Sequence, residues 1–220
     1  QTIALYRSAE LGMPIKTWTL SEPILSINLA NHEYLGIIEA LVDDYNVESI
    51  VISSLVGHSL DLLRTNLPTT IVLHDYFPFC PALYATFGLP CSSCSETELR
   101  RCMNENPRNS YFKSESHEHW MNVRREFMRL LASGLYTVVA PTQSVANRYR
   151  KLECSLSEIP IHVVAHGLDV KLSQSFMPVS VLSESTIGDR GRLKIVMLGR
   201  LTDEKGANLL RDMMINLGQF

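Results

Sequence analysis

Short runs of β-branched and aliphatic residues alternate along this chain with stretches whose apolar positions recur every three or four residues. Thr2–Tyr6 and Pro14–Leu20 read as strands. From Glu33 to Asn46, Tyr34, Leu35, Ile38, Leu41, Val42 and Tyr45 fall on one face of a helix. Ser49–Ser53 follows as a buried strand, His58–Thr65 as a helix and Thr69–Leu73 as a strand running directly into His74 and Asp75. The period returns over Glu115–Ser133, where Trp120, Val123, Phe127, Leu130 and Leu131 mark a buried face and Gly134 reads as the stop. Tyr136–Ala140 is a strand, and Thr142 caps a helix running through Lys151. Ile161–Ala165 is a strand, Leu193–Leu198 another, and Gly206–Leu217 a helix. Strand–helix–strand order over residues 33 to 169 predicts an α/β fold: a parallel sheet with right-handed crossovers and helices on both faces.

Two segments break the rhythm. Residues 76–111 carry four prolines and four cysteines without a sustained period, and a loop of that length is usually functional or held by something other than a core. Residues 171–192 are rich in Ser and Gly and read as a linker. The expected organisation is therefore one domain over residues 1–170 with an insertion at 76–111, the linker, and the first strand, loop and helix of a second domain over 193–220.

Composition narrows the partners. With 20 Lys and Arg against 23 Asp and Glu, the net charge of −3 gives no broad footprint for nucleic acid. No run approaches the ~18 apolar residues of a membrane helix. Three arginines between Met121 and Arg129 are too few to argue for a membrane-binding helix. The first residues lack the basic start and apolar block of a secretory signal, so a cytoplasmic location is expected, and a chain opening on Gln1 reads as cut from something longer.

Cys80, Cys91, Cys94 and Cys102 form a C-x10-C-x2-C-x7-C array. The close Cys91–Cys94 pair can share one tetrahedral ion, with Cys80 and Cys102 completing the set, and a structural zinc would supply fold energy to a proline-broken segment short of apolar residues. Four reduced thiols, a Cys91–Cys94 redox disulfide and an iron–sulfur cluster stay open as alternatives. Cys154 lies apart. At the end of the chain, Arg200 and Lys205 lie in the loop between a strand and a helix. That arrangement suits a diphosphate and equally a solvated loop.

A resemblance chooses between those last two. Leu198–Gly206, reading LGRLTDEKG, resembles the G-R-L-x-x-x-K-G segment that opens the second domain of GT-B-fold glycosyltransferases of the family 4 type. Val138–Ala146, Ile161–Asp169 and the His74-Asp75 pair are similar to further family segments in the same order, with His166 where an Asn is usual. The resemblance covers roughly residues 33 to 217. It implies two Rossmann-like domains and retaining transfer of a sugar from a nucleotide diphosphate sugar to an acceptor hydroxyl, in polysaccharide or glycoconjugate synthesis. Gly199, Arg200, Lys205 and Gly206 would hold the donor diphosphate, and His74 would act in the cleft beside the donor sugar. No catalytic metal is implied, and no Asp-x-Asp motif is present to hold one. The acceptor could be a carbohydrate or a lipid-linked sugar, with peripheral membrane contact in the latter case.

Asp75 either orients His74 or caps the loop; His166 reads as structural, and His117 and His119 as solvated. The glycine-rich loop of the family's first domain is absent, and its later E-x7-E segment lies beyond Phe220. The chain is thus expected to be a piece of an enzyme, with little turnover alone. A non-catalytic, zinc-stabilised interaction domain on the same scaffold is the rival from another class. A nucleotide-sugar epimerase is a second enzyme rival, less suited to the Cys-rich insertion.

Overall fold

The computed structural model describes residues 1–7, 12–109, 111–133, 135–165, 167 and 206–217. The chain divides into two compact units, Gln1–Gly167 and Leu168–Phe220.

The first unit opens with an antiparallel pair, β1 (Thr2–Leu5) and β2 (Lys16–Thr19). β3 (Ile27–Asn28) leads into helix α1 (His32–Tyr45). The Asn31 side chain caps α1 by accepting from the Tyr34 N–H at 2.9 Å, and Asn46 ends it in the left-handed region at φ 49°. Helix α1 starts one residue earlier than its apolar period suggests, because Asn31 rather than a hydrophobic position sets the start. β4 (Ile50–Ile52) follows, then β5 (His58–Ser59), which pairs in parallel with β3.

The helix expected over His58–Thr65 is instead this short strand and a 3-10 helix, Leu60–Arg64. Buried Asp61 explains the difference. Its carboxylate accepts from the Ser59 hydroxyl at 2.7 Å and from the Asn31 N–H at 2.6 Å, and pairs with Arg64 at 2.6 Å. Those bonds fasten the segment to the start of α1 and prevent it from continuing as a regular helix.

β6 (Thr69–Val72), β9 (Tyr136–Ala140) and β10 (Ile161–Val163) join β4 in a four-stranded sheet, order β10-β9-β6-β4, every pair parallel. The register places Ile52 beside Ile71 and Ile71 beside Val138, so β-branched side chains stack across the buried face. The expected α/β class with a parallel sheet is what the structure has.

Between β6 and β9 lie β7 (Thr86–Phe87), β8 (Leu89–Pro90), helix α2 (Glu96–Glu105) and helix α3 (His117–Leu131). The predicted face of α3 is buried: Trp120, Val123, Phe127, Leu130 and Leu131, with Arg124 among them. Helix α4 (Gln143–Leu152) starts at its Thr142 cap and carries Ala146, Tyr149 and Leu152 into the core. One large core joins the sheet to α3, α4 and the insertion; a smaller one gathers Leu20, Ile24, Tyr34, Ile37 and Ile38 under β1 and β2.

The insertion differs most from its sequence reading. Rather than lacking apolar residues, it sends Phe77, Phe79, Ala82, Leu99 and Cys102 into the main core. Helix α2 is fixed by a capping box, in which the Ser95 hydroxyl accepts from the Glu98 N–H and the Glu98 carboxylate accepts from the Ser95 N–H.

In the second unit, helix α5 (Ala207–Leu217) follows Gly206. The linker at 171–192, the strand at 193–198 and the position of Gly134 lie outside the described residues. Among the described residues, no helix is long and apolar enough to cross a membrane.

Candidate functional site

All four strands of the sheet run the same way, so their carboxyl ends open on one edge, the place where open parallel sheets bind ligands. His74 and Asp75 follow the inner strand β6 at that edge. The ladder extends one residue past the strand through Leu73 N–H to Val139 O at 2.8 Å, and the chain then turns as His74 N–H donates to Val72 O at 3.1 Å. His74 is exposed.

Asp75 is built into the turn. Its Oδ1 accepts from the Phe77 N–H at 2.8 Å, and its backbone carbonyl accepts from the Tyr149 hydroxyl at 2.7 Å. Burial pushes the Asp75 carboxyl above its ordinary value, opposed by the Phe77 N–H and by nearby His74. Asp75 therefore holds the loop, and its charge lies close enough to His74 to act on it. A narrow crevice beside it is lined by Ser53 and Ser54 after β4 and by Pro78 of the insertion. Tyr76 stacks on Tyr149 at 5.0 Å between ring centres, and the Arg148 guanidinium lies over Tyr76 at 5.6 Å.

Of the predicted diphosphate-binding residues, Gly199, Arg200 and Lys205 lie outside the described residues, as does His166. Gly206 is described. It takes φ +86°, a conformation that disfavours any side chain, and its carbonyl accepts the first helical bond of α5 from Leu210 at 2.9 Å.

A second cluster lies in the insertion. Cys80, Cys91, Cys94 and Cys102 all line one cleft of about 180 Å3, floored by Phe79 and Leu99 and open to solvent. All five cysteines of the chain are free thiols. Cys102 is on the last turn of α2, Cys94 just before its cap, Cys91 at the end of the hairpin and Cys80 on the loop after His74. Burial pushes the Cys80 thiol up to about 12, against the pull of the Ala82 and Ala85 N–H groups. Burial also raises Cys91, partly offset by Arg148 and the Phe87 N–H, and Cys102, partly offset by Asn106 and by Arg124 and Arg101.

The Arg124 side chain joins the cluster to α3. Its Nη2 donates to Cys94 Sγ at 3.0 Å and its Nη1 to Cys94 O at 3.2 Å, while its guanidinium lies 4.3 Å from the Phe79 ring centre. Asn106 Nδ2 donates to Cys102 Sγ at 3.1 Å. Among the described residues, no group of three or more His, Cys, Asp or Glu side chains stands as a ready-made ligand set for a metal ion.

Sequence reasoning brought the four cysteines to one place but missed Arg124 and Asn106. Arg124 carried a readable signal: it falls four residues after Trp120, on the apolar face of α3. His117 and His119 are not solvated as expected. Both are partly buried, and His119 Nε2 lies 3.0 Å from the Ile27 carbonyl, tying α3 to β3.

No family model, no curated protein and no solved structure matches this chain.

Proposed function

We propose that this chain is the acceptor-side part of a retaining glycosyltransferase with GT-B architecture, built of Rossmann-like domains and using a nucleotide diphosphate sugar as donor. The observation that carries the reading is the placement of His74 on the open edge of the parallel sheet, directly after an inner strand and beside the turn that Asp75 holds. There a histidine can donate a hydrogen bond to a sugar hydroxyl or to developing charge at the reacting centre. Asp75 acts through the turn, keeping His74 at the strand end.

In this reading Arg200 and Lys205 neutralise the leaving diphosphate, and Gly206 keeps the α5 N-terminus accessible to it. Fixed cations and N–H dipoles then do what a divalent metal does in other phosphate-transfer sites. The acceptor hydroxyl belongs to a carbohydrate or a lipid-linked sugar. Five free thiols suit the reducing cytoplasm as the place of action.

His74→Ala tests the proposal in the full-length protein. Loss of one positioned donor at the reacting centre is expected to lower kcat by about 10²-fold or more, with donor KM changing less. Unchanged kcat would remove His74 from the reaction. A folded full-length protein inert toward every nucleotide sugar would favour the non-catalytic interaction domain instead.

A further inference from the structure

We propose that Cys80, Cys91, Cys94 and Cys102 bind one divalent zinc ion as a tetrathiolate, with Arg124 as the buried positioning residue that offsets its negative charge. The inference is independent of the reaction at the strand ends.

Two of the four sulfurs accept a hydrogen bond from a side-chain N–H donor. At Cys80 and Cys91 the N–H groups of Ala82, Ala85 and Phe87 pull the thiols down against the effect of burial. Cys94 accepts from Arg124 at 3.0 Å and Cys102 from Asn106 at 3.1 Å. A neutral thiol is a weak acceptor and does not need such donors. Metal-bound thiolates do, because hydrogen bonds from an outer shell spread their charge and fix their direction.

Arg124 adds the charge argument. It is 5% exposed and, among the described residues, makes no ion pair with a carboxylate. A cation at that depth needs a counter-charge, and the group it touches that can carry one is the sulfur of Cys94. Zinc with four thiolates carries two negative charges. Arg124 offsets one directly, and Arg148 and Arg101 stand near enough to influence Cys91 and Cys102.

The backbone contributes as well. Leu83 at φ 65° and Ala85 at φ 48° hold left-handed conformations within five residues of Cys80. Non-glycine residues keep such conformations where the surroundings over-determine them.

On uptake, the four thiols rotate into the cleft they line and four Zn–S bonds form as four protons pass to solvent. Soft sulfur donors in a tetrahedral set select zinc over magnesium or calcium. The ion would then pin the loop after His74, the β7–β8 hairpin and α2 to α3.

The test uses the full chain purified under reducing conditions without chelator. Elemental analysis is expected to return about one zinc per chain, and cobalt(II) exchange to give the sulfur-to-metal charge-transfer bands of a four-thiolate tetrahedral site. Cys154→Ser should leave both unchanged, and Cys94→Ser should shift the cobalt spectrum. Arg124→Met should weaken cobalt affinity by about 10- to 100-fold with far-ultraviolet circular dichroism preserved, and Arg124→Lys should recover part of it. Wild-type protein that takes up neither zinc nor cobalt would overturn the proposal. So would a Cys91–Cys94 disulfide, an iron–sulfur spectrum, or equal affinity of the Arg124→Met variant.

Discussion

Glu126 on α3 lies between two guanidinium groups, 2.6 Å from Arg64 and 2.7 Å from Arg129. The hydrogen bond from Arg129, with help from Arg64, holds its carboxyl down to about 2 from the ordinary 4.5, outweighing its partial desolvation. Because the folded value lies below the unfolded one, the stabilisation is complete above pH 4.5 and fades as the pH falls through about 2. Glu126→Gln is expected to destabilise the protein at neutral pH and to flatten this acid limb, read from urea midpoints across that window; an unaltered limb would assign acid sensitivity elsewhere. Arg64 also reaches the Leu29 carbonyl at 2.7 Å and Asp61, so one side chain ties α3 to the start of α1. Glu126 was not legible in the sequence, because a charged residue on a helix ordinarily lies on its solvated face, and Arg124 showed there only as a cation on the apolar face of α3. Only the partner's position distinguishes a buried guanidinium from a surface one, and that position is tertiary.

Elements were legible where one period dominates. β6 and β9 are runs of β-branched residues bounded by polar turns, and α3 repeats its apolar positions over four turns. Helix α2 escaped notice because only Leu99 and Cys102 of its ten residues are buried, too few to mark a face. Its capping box, Ser95 with Glu98, was present in the sequence, but no apolar run followed it to give it weight. Ser95→Ala should cost about 1 kcal/mol of local stability. Hydrogen exchange should then accelerate at the α2 amides, such as Leu99, and leave Val138 in β9 unchanged. Equal acceleration at both would mean that α2 opens only with the whole unit. The insertion's core anchors, Phe77 and Phe79, were missed for a related reason: they are spaced through a proline-bearing loop with neither helical nor strand period.

At the scale of the whole molecule, the parallel sheet of the first unit presents its strand ends on an open edge. His74 stands on that edge, while Gly206 at φ +86° precedes α5 in the second unit. The sheet and His74's position at a strand end were readable from the pattern of strands, whereas the role of Arg200 and Lys205 rests on their likeness to a known segment. Each of those cations would make a charge-assisted contact with phosphate worth about 1.5 to 3 kcal/mol. Arg200→Ala or Lys205→Ala in the full-length protein should therefore lower kcat/KM by about ten- to a hundredfold, and unchanged values in both would move the donor site elsewhere.

Sugar transfer itself tests the central claim most directly. The full-length protein would be incubated with a panel of nucleotide diphosphate sugars and carbohydrate or lipid-linked acceptors, without added divalent metal, and the anomeric configuration of the product followed by NMR. The account predicts that a donor is consumed, that nucleoside diphosphate is released, and that the new glycosidic bond keeps the donor's configuration. An inverted product, or epimerised donor with no transfer, would contradict it.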